Sequence, residues 1–128
     1  MSKITNTYMG QKEKNIEKYT WEEFDKDVKK IVKWLKNKKF SNIYGVPRGG
    51  LPLAVKLSNI LKKPLVIDEK KISKETLIVD DISDTGETLA KFKGHLIVTL
   101  FYHKQTKTLP DFWIREKTCD WIIFPWEE

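Results

Sequence analysis

Cysteine and long apolar runs are the two features that this 128-residue sequence most conspicuously lacks. Its single cysteine, Cys119, cannot form a disulfide within the chain, which is typical of proteins in a reducing compartment. No apolar stretch approaches the roughly 20 residues that a membrane-spanning helix needs. The polar start, MSKITNTYMGQKEKN, has no apolar segment of the signal-peptide kind. These absences predict a cytoplasmic protein without a membrane partner.

Arginine is also scarce, although the chain is basic. The formal net charge is +6, yet only Arg48 and Arg115 among the 24 basic residues are arginines. The lysines are scattered among glutamates and aspartates, and no basic stripe or aromatic stacking platform accompanies them. The sequence therefore favours a solvated lysine surface and no nucleic-acid partner. The excess positive charge would still help to attract a polyphosphate substrate.

The spacing of apolar residues predicts alternating helices and strands around one core. Thr20 and Glu23 form a capping-box pattern, and apolar residues at three- and four-residue steps predict a helix from there to Leu35. Further strands are predicted at 40–46, 65–67, 76–79 and 95–102, and further helices at 51–61 and 86–92. Such alternation with short connections predicts right-handed βαβ units, and hence an α/β fold with a doubly wound, mostly parallel sheet flanked by helices.

The two ends of the chain depart from this pattern. Residues 1–18 are polar and are interpreted either as a loose N-terminal arm or as a short extra element. Residues 109–128 carry Trp113, Trp121 and Trp126 between polar residues, which predicts a small C-terminal flap folded over the sheet. We expect residues 1–128 to form a single domain, because a chain of this length supports one hydrophobic core.

The segment from Leu77 to Thr88 carries the most chemical information. An apolar strand runs into the adjacent carboxylates Asp80 and Asp81, and a polar turn, Asp84-Thr85-Gly86-Glu87-Thr88, then opens a helix. Ligands of open α/β sheets bind at the carboxyl ends of strands. Backbone N–H groups of the turn form an anion site, and paired acids suit sugar hydroxyls or a hard cation such as Mg²⁺. The plainer alternative is an acidic N-cap, but three aspartates within five residues exceed what capping requires.

This segment resembles the 5-phosphoribosyl-1-diphosphate (PRPP) signature of type I phosphoribosyltransferases. The resemblance implies that Asp80 and Asp81 contact the ribose hydroxyls and form the Mg²⁺ site, with Asp81 touching the ion directly or through water. It also implies that residues 85–88 surround the 5′-phosphate. The phosphate-binding residues would be Thr85, Gly86, Glu87 and Thr88. In purine-specific members, an aspartate at the position of Asp84 lies beside N7 of the base and manages its proton. Glu87 stands where a glycine or neutral residue is usual.

A second motif, Val46-Pro47-Arg48-Gly49-Gly50, follows the first strand of the predicted sheet. Alone it would be interpreted as an ordinary turn, because proline and glycine are common in turns of all proteins. Beside the PRPP signature it resembles the diphosphate loop of the same family. The resemblance implies a cis peptide between Pro47 and Arg48, with Arg48 and Gly49 contacting the diphosphate.

The C-terminal segment resembles that of bacterial xanthine-guanine phosphoribosyltransferases, and the whole resemblance covers about residues 19–127. It implies that Trp121 stacks on a purine, that the carbonyl of Ile122 accepts from its exocyclic group, and that Lys104 is a candidate to contact the 6-oxo group. The alternative for Trp121 is ordinary packing. The resemblance thus implies phosphoribosyl transfer to a 6-oxopurine in purine salvage, by a homodimer or higher homo-oligomer.

One part of the family pattern is missing. Members carry a long flexible loop between the second and third strands, whereas here only residues 68–75 join them. Such a lid excludes water from the reacting sugar. Its absence leaves open an alternative function, a non-catalytic module of the same fold that binds PRPP or a nucleotide as a sensor.

Overall fold

The computed structural model describes residues 3–9 and 12–128, with side chains described from Asn15 onwards. The strands are β1 (Lys3–Met9), β2 (Lys12–Lys18), β3 (Asn42–Gly45), β4 (Leu65–Val66), β5 (Thr76–Ser83), β6 (Ile97–Tyr102), β7 (Arg115–Glu116) and β8 (Trp121–Ile123). The helices are α1 (Trp21–Leu35), α2 (Leu51–Leu61) and α3 (Glu87–Ala90), with short 3₁₀ turns at Glu69–Lys71 and Pro125–Glu127. None of the described helices is long and apolar enough to cross a bilayer.

Five parallel strands form the main sheet in the order β4-β3-β5-β6-β7. Strand β3 pairs with both β4 and β5, so the chain order reverses direction at the centre of the sheet. This confirms the predicted α/β fold with a doubly wound parallel sheet. The carboxyl ends of β3 and β5 are adjacent at this point, which is where open α/β sheets bind ligands.

Helix α1 begins where the capping-box pattern places it. The Thr20 hydroxyl accepts from the backbone N–H of Glu23 at 3.1 Å, and the Glu23 carboxylate accepts from the backbone N–H of Thr20 at 3.1 Å. These reciprocal bonds satisfy two backbone donors that a helix start otherwise leaves unpaired. Helix α2 has Pro52 in its first turn, and it is followed by the C-cap residue Lys62, whose φ of 58° is left-handed. Both helices confirm the sequence predictions.

The alternation of strand residues divides the core between the two faces of the sheet. Ile43, Leu77 and Val79 are fully buried on the face covered by α1 and α2. Tyr44 and Ile78, one residue along, are buried on the opposite face. Leu89 of α3, Phe92 and Ile97 complete that smaller cluster. Burial on both faces explains why these strands are continuously apolar.

Strand β5 is longer than the sequence predicts. It was expected to end at Val79 but continues to Ser83, because β6 extends alongside it and pairs Asp80 with Thr99 and Ser83 with Tyr102. The paired acids therefore lie within the strand, on its last residues, where their backbone is held by the sheet. Helix α3 is shorter than the predicted 86–92, since the backbone N–H of Phe92 bonds three residues back, to Leu89, as in a turn.

A second, smaller sheet joins the N-terminal strands to the C-terminal segment, in the order β1-β2-β8. Strands β1 and β2 form an antiparallel hairpin, and β2 pairs in parallel with β8, placing Ile16 opposite Trp121. Of the two interpretations of the polar N-terminal segment, a loose arm or an extra element, the described residues 3–9 and 12–18 form the extra element. The single-domain boundary remains a prediction.

A buried ionic cluster joins the C-terminal strands to α1. The carboxylate of Asp27, which has no exposed surface, accepts from Arg115 Nε at 2.7 Å, from Arg115 Nη2 at 3.2 Å and from the Tyr19 hydroxyl at 2.5 Å. Arg115 Nη1 also lies 3.3 Å from Glu23 Oε2. Burial, reinforced by the bond to Asp27, raises the pKa of Tyr19 far above its usual range. The two-pronged arginine pair fixes β7 against α1.

We expect Arg115→Met to destabilise the protein by about 3–5 kcal/mol, because it leaves the Asp27 carboxylate buried without its cation. Urea unfolding measures this loss. The matched control is Lys56→Met, which removes the partner of Asp25 on the same helix. That pair is 3.9 Å long between half-exposed side chains, so its loss should cost less than about 1 kcal/mol. Equal effects of the two substitutions would contradict a stabilising role for the cluster.

Candidate functional site

The two sequence motifs meet where β3 and β5 end. Gly45 is opposite Val79 in the parallel register, and the backbone N–H of Val46 donates to the carbonyl of Val79 at 2.9 Å. The turn after β3 then passes so close to β5 that a Cβ on Gly50 would lie 2.6 Å from the Val79 carbonyl oxygen. A Cβ on Gly49 would overlap the Asp81 carboxylate. The glycines therefore allow this turn to lie directly against the paired acids.

Two connected clefts open at this edge of the sheet. The smaller one, about 280 Å³, is lined by Asp80 and Asp81 and by four residues of the turn, Asp84, Thr85, Gly86 and Thr88. The larger one, about 1030 Å³, has Arg48 and Lys56 on its walls beside Trp21 and Trp126. Gly49 and Asp81 border both clefts. The arrangement brings the predicted phosphate, ribose and diphosphate residues onto one continuous surface.

The Pro47–Arg48 peptide is cis, as the resemblance implies. Both residues are exposed; Pro47 lines the smaller cleft, and Arg48 lines the larger one. The guanidinium is therefore accessible to an anion bound over the turn. A planar guanidinium presents several N–H donors in a fixed geometry that matches phosphate oxygens.

The turn from Asp84 to Thr88 is braced from behind by a distant segment. Gly86 has φ of 85°, and the hydroxyl of Thr108 donates to its carbonyl at 2.7 Å. The buried hydroxyl of Ser83 donates to the carbonyl of Thr108 at 2.7 Å, and the backbone N–H of Lys107 donates to the carbonyl of Thr85 at 2.8 Å. These bonds fix the turn before any ligand arrives, which reduces the entropy lost on binding.

Glu87 is the residue of the turn that departs from the family pattern. Its side chain is 72% exposed and lies 3.6 Å from the equally exposed ammonium of Lys107. The carboxylate thus points into solvent. Its negative charge is screened by solvent and partly balanced by Lys107, and Glu87 does not line the smaller cleft.

Asp80 and Asp81 form a buried pair of carboxyl groups. Asp80 is 8% exposed, and burial together with the neighbouring charge of Asp81 raises its pKa to about 9. Burial also raises the pKa of Asp81. Among the described side chains, no cation contributes to either shift. Two adjacent acids that resist ionisation are arranged to receive a cation or hydrogen-bond donors from a ligand.

The paired acids fit a Mg²⁺ ion that is shared with a substrate. No group of three or more His, Cys, Asp or Glu side chains within the described part of the chain could enclose a metal by itself. Mg²⁺ in phosphate-transfer sites is commonly bound by one or two carboxylates, with the remaining ligands supplied by water and substrate phosphates. Asp80 and Asp81 match this incomplete donor set.

Asp84 lines the smaller cleft together with the acid pair and is contacted by two basic residues. Lys117 Nζ lies 3.2 Å from Asp84 Oδ2, and His103 Nδ1 lies 3.7 Å from Asp84 Oδ1. The Asp84 side chain remains 46% exposed, so it is accessible to a ligand in the cleft. Neither contact was predicted from the sequence.

The residues predicted to hold a purine are less closely assembled. Trp121 is 56% exposed on β8, which excludes ordinary core packing, and it lines neither of the two clefts. Ile122 is buried and pairs with Glu17 of β2. Lys104 is exposed in the turn after β6. Their roles in base binding remain predictions.

The fold resembles that of solved phosphoribosyltransferases. The purine phosphoribosyltransferase of Pyrococcus horikoshii is 31% identical, with a TM-score of 0.77, over 88% of this chain and 94% of that one. The chain belongs to the type I phosphoribosyltransferase family. The members of this family are transferase enzymes. No protein-family model and no curated protein matches the sequence.

Two more distant structures show how widely this phosphoribosyltransferase fold is shared. The xanthine-guanine-hypoxanthine phosphoribosyltransferase of Helicobacter pylori is 24% identical, with a TM-score of 0.72, over 88% of this chain and 93% of that one. The orotate phosphoribosyltransferase of Aeropyrum pernix is 17% identical, with a TM-score of 0.57, over 76% and 72%. Their names cover different bases, so the fold alone does not select one.

Sequence reasoning also missed Trp126 as a residue of the larger cleft in this phosphoribosyltransferase. Its ring stacks on Phe124 with centroids 5.1 Å apart and meets Phe24 and Trp21 edge-on at 5.3 and 5.8 Å. The pattern of tryptophans in the tail indicated a flap, but nothing in it indicated which tryptophan faces α1. The aromatic cluster decides this by packing.

We expect Asp80→Asn to stabilise the ligand-free protein at pH 8 by about 1–3 kcal/mol, because it removes a carboxyl group that burial keeps from ionising. Since the pKa of Asp80 is raised from 3.8 to about 9, the stability that this group contributes is complete below pH 3.8 and is lost as the pH rises towards 9. The variant should lose that pH dependence. Urea unfolding between pH 5 and 9 measures it.

Asp84→Asn is the matched control on the same segment. Its side chain is half exposed and paired with Lys117, so replacing it should not raise stability at pH 8. If Asp80→Asn were less stable than the wild-type protein throughout the pH range, the acid pair would be a stabilising element and not a ligand site.

Proposed function

We propose that this protein transfers the 5-phosphoribosyl group of PRPP to a 6-oxopurine base and releases diphosphate, a reaction of purine salvage. The observation that carries the proposal is the contact between the two motifs, in which Gly49 lies against the Asp81 carboxylate with the turn at residues 84–88 beside it. A phosphate site, an acid pair and a guanidinium on one surface match the three parts of PRPP.

PRPP would extend from the smaller cleft, which would hold the 5′-phosphate and the ribose, into the larger cleft, which would hold the diphosphate. The braced turn at residues 85–88 would hold the 5′-phosphate through backbone N–H groups. Asp80 and Asp81 would accept hydrogen bonds from the ribose hydroxyls, and Arg48 would face the diphosphate from the larger cleft. A bound Mg²⁺, held by the acid pair and the substrate, would supply positive charge that stabilises the departing diphosphate.

The base would lie at the Asp84 end of the smaller cleft. In the reaction, N9 of the purine forms a bond to C1′ of the ribose, and the bond between C1′ and the diphosphate oxygen breaks. The diphosphate leaves with the electron pair, and Asp84 accepts the proton that the base loses from N7. Asp84 suits this role because its carboxylate is exposed to the cleft while basic neighbours hold it in place.

Two observations favour a purine as the acceptor. The Pyrococcus relative is named as a purine phosphoribosyltransferase and is 31% identical over nearly its whole length. The ring of Trp121 is more than half exposed on β8 and so offers an aromatic face to a ligand. A partly enclosed purine would gain about 1–3 kcal/mol by stacking on such a ring.

The short connection between β4 and β5 favours the second candidate, a PRPP or nucleotide sensor. Residues 67–75 contain only a 3₁₀ turn at Glu69–Lys71, with no long loop that could close over the diphosphate. A reacting sugar exposed to water would be hydrolysed or transferred slowly. One assay separates the candidates: incubation with PRPP, Mg²⁺ and hypoxanthine, guanine, xanthine, adenine or orotate, with detection of nucleotide and diphosphate.

Nucleotide formed from a 6-oxopurine supports the proposed transfer. PRPP binding by calorimetry that requires Mg²⁺, without turnover of any base, would support the sensor instead. Absence of PRPP binding with and without Mg²⁺ would contradict both.

We expect Asp84→Asn to lower turnover by about 100-fold or more while changing PRPP affinity far less, because it removes the proton acceptor but preserves the shape of the side chain. Steady-state kinetics and calorimetry measure the two effects separately. Equal losses of turnover and affinity would assign Asp84 to binding alone.

Trp121→Ala should weaken the binding of a purine nucleoside monophosphate about five- to hundredfold and leave PRPP affinity nearly intact. The protein should stay folded, because this ring is more than half exposed. Trp126→Ala is the contrasting variant, since its ring packs in the aromatic cluster and its loss should lower the melting temperature. A well-folded Trp121→Ala protein with unchanged nucleotide affinity would exclude the stacking role.

A further inference from the structure

A short segment after β6, residues 106–108, packs against the turn proposed to hold the 5′-phosphate. Thr108 is 4% exposed, and its hydroxyl donates to the carbonyl of Gly86 at 2.7 Å. The backbone N–H of Lys107 donates to the carbonyl of Thr85 at 2.8 Å. Two successive carbonyls of the turn are therefore bonded to the same segment, and both of the residues that bear them line the smaller cleft.

These bonds set the direction of the N–H groups in the turn. The C=O and N–H of a trans peptide point to opposite sides of the chain. Since the carbonyls of Thr85 and Gly86 point to residues 106–108, which do not line the cleft, the N–H groups of Gly86 and Glu87 point the other way. Successive N–H groups around a left-handed residue form a concave anion site, and Gly86 has φ of 85°.

The hydroxyl of Thr85 shows the consequence on the cleft side of the turn. It accepts from the backbone N–H of Glu87 at 3.2 Å, and Thr85 lines the cleft. A hydroxyl has one proton to donate. Because this oxygen already accepts a bond from within the turn, its proton is available to an anion in the cleft.

Glycine at position 86 makes this orientation possible but does not secure it. A Cβ there would lie 2.5 Å from both Thr106 Oγ1 and the backbone nitrogen of Thr108, so only glycine lets the segment approach this closely. Glycine also adopts positive and negative φ about equally readily, which leaves its peptides free to rotate. A rotated peptide would present a carbonyl oxygen to the anion. The hydroxyl of Thr108 opposes that rotation.

Thr108 is itself held at the end of β5. Its carbonyl accepts from the hydroxyl of Ser83, the last residue of that strand, at 2.7 Å. Its backbone N–H donates to the hydroxyl of Thr106 at 3.2 Å, and that hydroxyl lies 2.7 Å from Ser83 Oγ. The donor that reaches Gly86 is therefore fixed relative to the sheet.

Two other buried threonines show that burial alone does not create such a contact. The hydroxyl of Thr76 accepts from the backbone N–H of Ser73 at 2.9 Å, at the start of β5. The hydroxyl of Thr99 has no hydrogen-bond partner. None of these three residues lines a cleft.

We infer that Thr108 is a positioning residue of the phosphate site, which holds the Gly86 carbonyl away from the cleft so that the N–H groups of the turn and the Thr85 hydroxyl face a phosphate monoester. This inference rests on the proposed function. Thr108 acts through the turn and does not itself touch the ligand.

Thr108→Val tests the inference, because valine keeps the shape of the side chain and removes the donor. Calorimetry should show affinity for PRPP and for ribose 5-phosphate falling about three- to tenfold, the range expected for one hydrogen bond. Affinity for diphosphate with Mg²⁺ should change less than about twofold, since that ligand does not reach the turn. The KM for PRPP should rise more than kcat falls. Thr108→Ser, which keeps the hydroxyl, should restore affinity for PRPP.

Thr76→Val is the matched control. It removes a hydroxyl of similar burial and leaves the N–H of Ser73 without its partner, so it should lower the melting temperature without changing PRPP affinity. Thermal unfolding of all variants separates lost stability from lost positioning. Equal losses of PRPP and diphosphate affinity in Thr108→Val would reduce Thr108 to a structural role and overturn the inference.

The remaining outcomes distinguish the inference from the function on which it rests. Wild-type affinity for PRPP in a folded Thr108→Val protein would overturn the inference alone. Should that variant fail to fold, Thr108→Ser decides, because a stable serine variant that lost tenfold or more in PRPP affinity would contradict the role of the hydroxyl. A wild-type protein that binds neither PRPP nor ribose 5-phosphate would overturn the proposed function, and the inference with it.

Discussion

The close approach of the turn after β3 to the end of β5 is the constraint on which the site depends. Backbone meets backbone there, because Gly50 leaves room for the Val79 carbonyl and Gly49 leaves room for the Asp81 carboxylate. In-register parallel pairing of the two strands sets the distance. A side chain at either glycine would force the turn away from the end of β5.

The second requirement is that the C-terminal strands stay attached to α1. The Arg115–Asp27 pair and the aromatic cluster around Tyr19 and Trp126 provide this attachment across more than 80 residues of sequence, since the arginine and the aspartate are 88 positions apart. Both ends of the proposed base site depend on it. Lys117 is two residues after Arg115, and Trp121 lies on the next strand.

The electrostatics of the site oppose stability where they favour binding. Burial holds the pKa of Asp80 near 9, so the ligand-free protein bears two acids that ionise reluctantly. A cation and sugar hydroxyls from a substrate would stabilise the ionised carboxylates. The free energy lost by burying the acids in the ligand-free protein would thus be recovered when the substrate binds. Asp84, by contrast, already has Lys117 and His103 beside it. The acid pair is thus arranged to receive positive charge from a ligand, whereas Asp84 already has positive charge beside it.

Local patterns were sufficient for much of the fold and for half of the site. The capping box at Thr20, the apolar alternation of the strands and the acids at the end of β5 depend on neighbours within a few residues, so the sequence predicts them.

Contacts between distant segments were not predictable in this way. The extension of β5 to Ser83 required β6 beside it, and the pairing of β2 with β8 required the tail to fold back. Lys117 reaches Asp84 because β7 joins the edge of the sheet and Arg115 is held by a buried aspartate. No spacing in the chain encodes that contact, since it arises only when β7 and the residues after it pack against the sheet and α1.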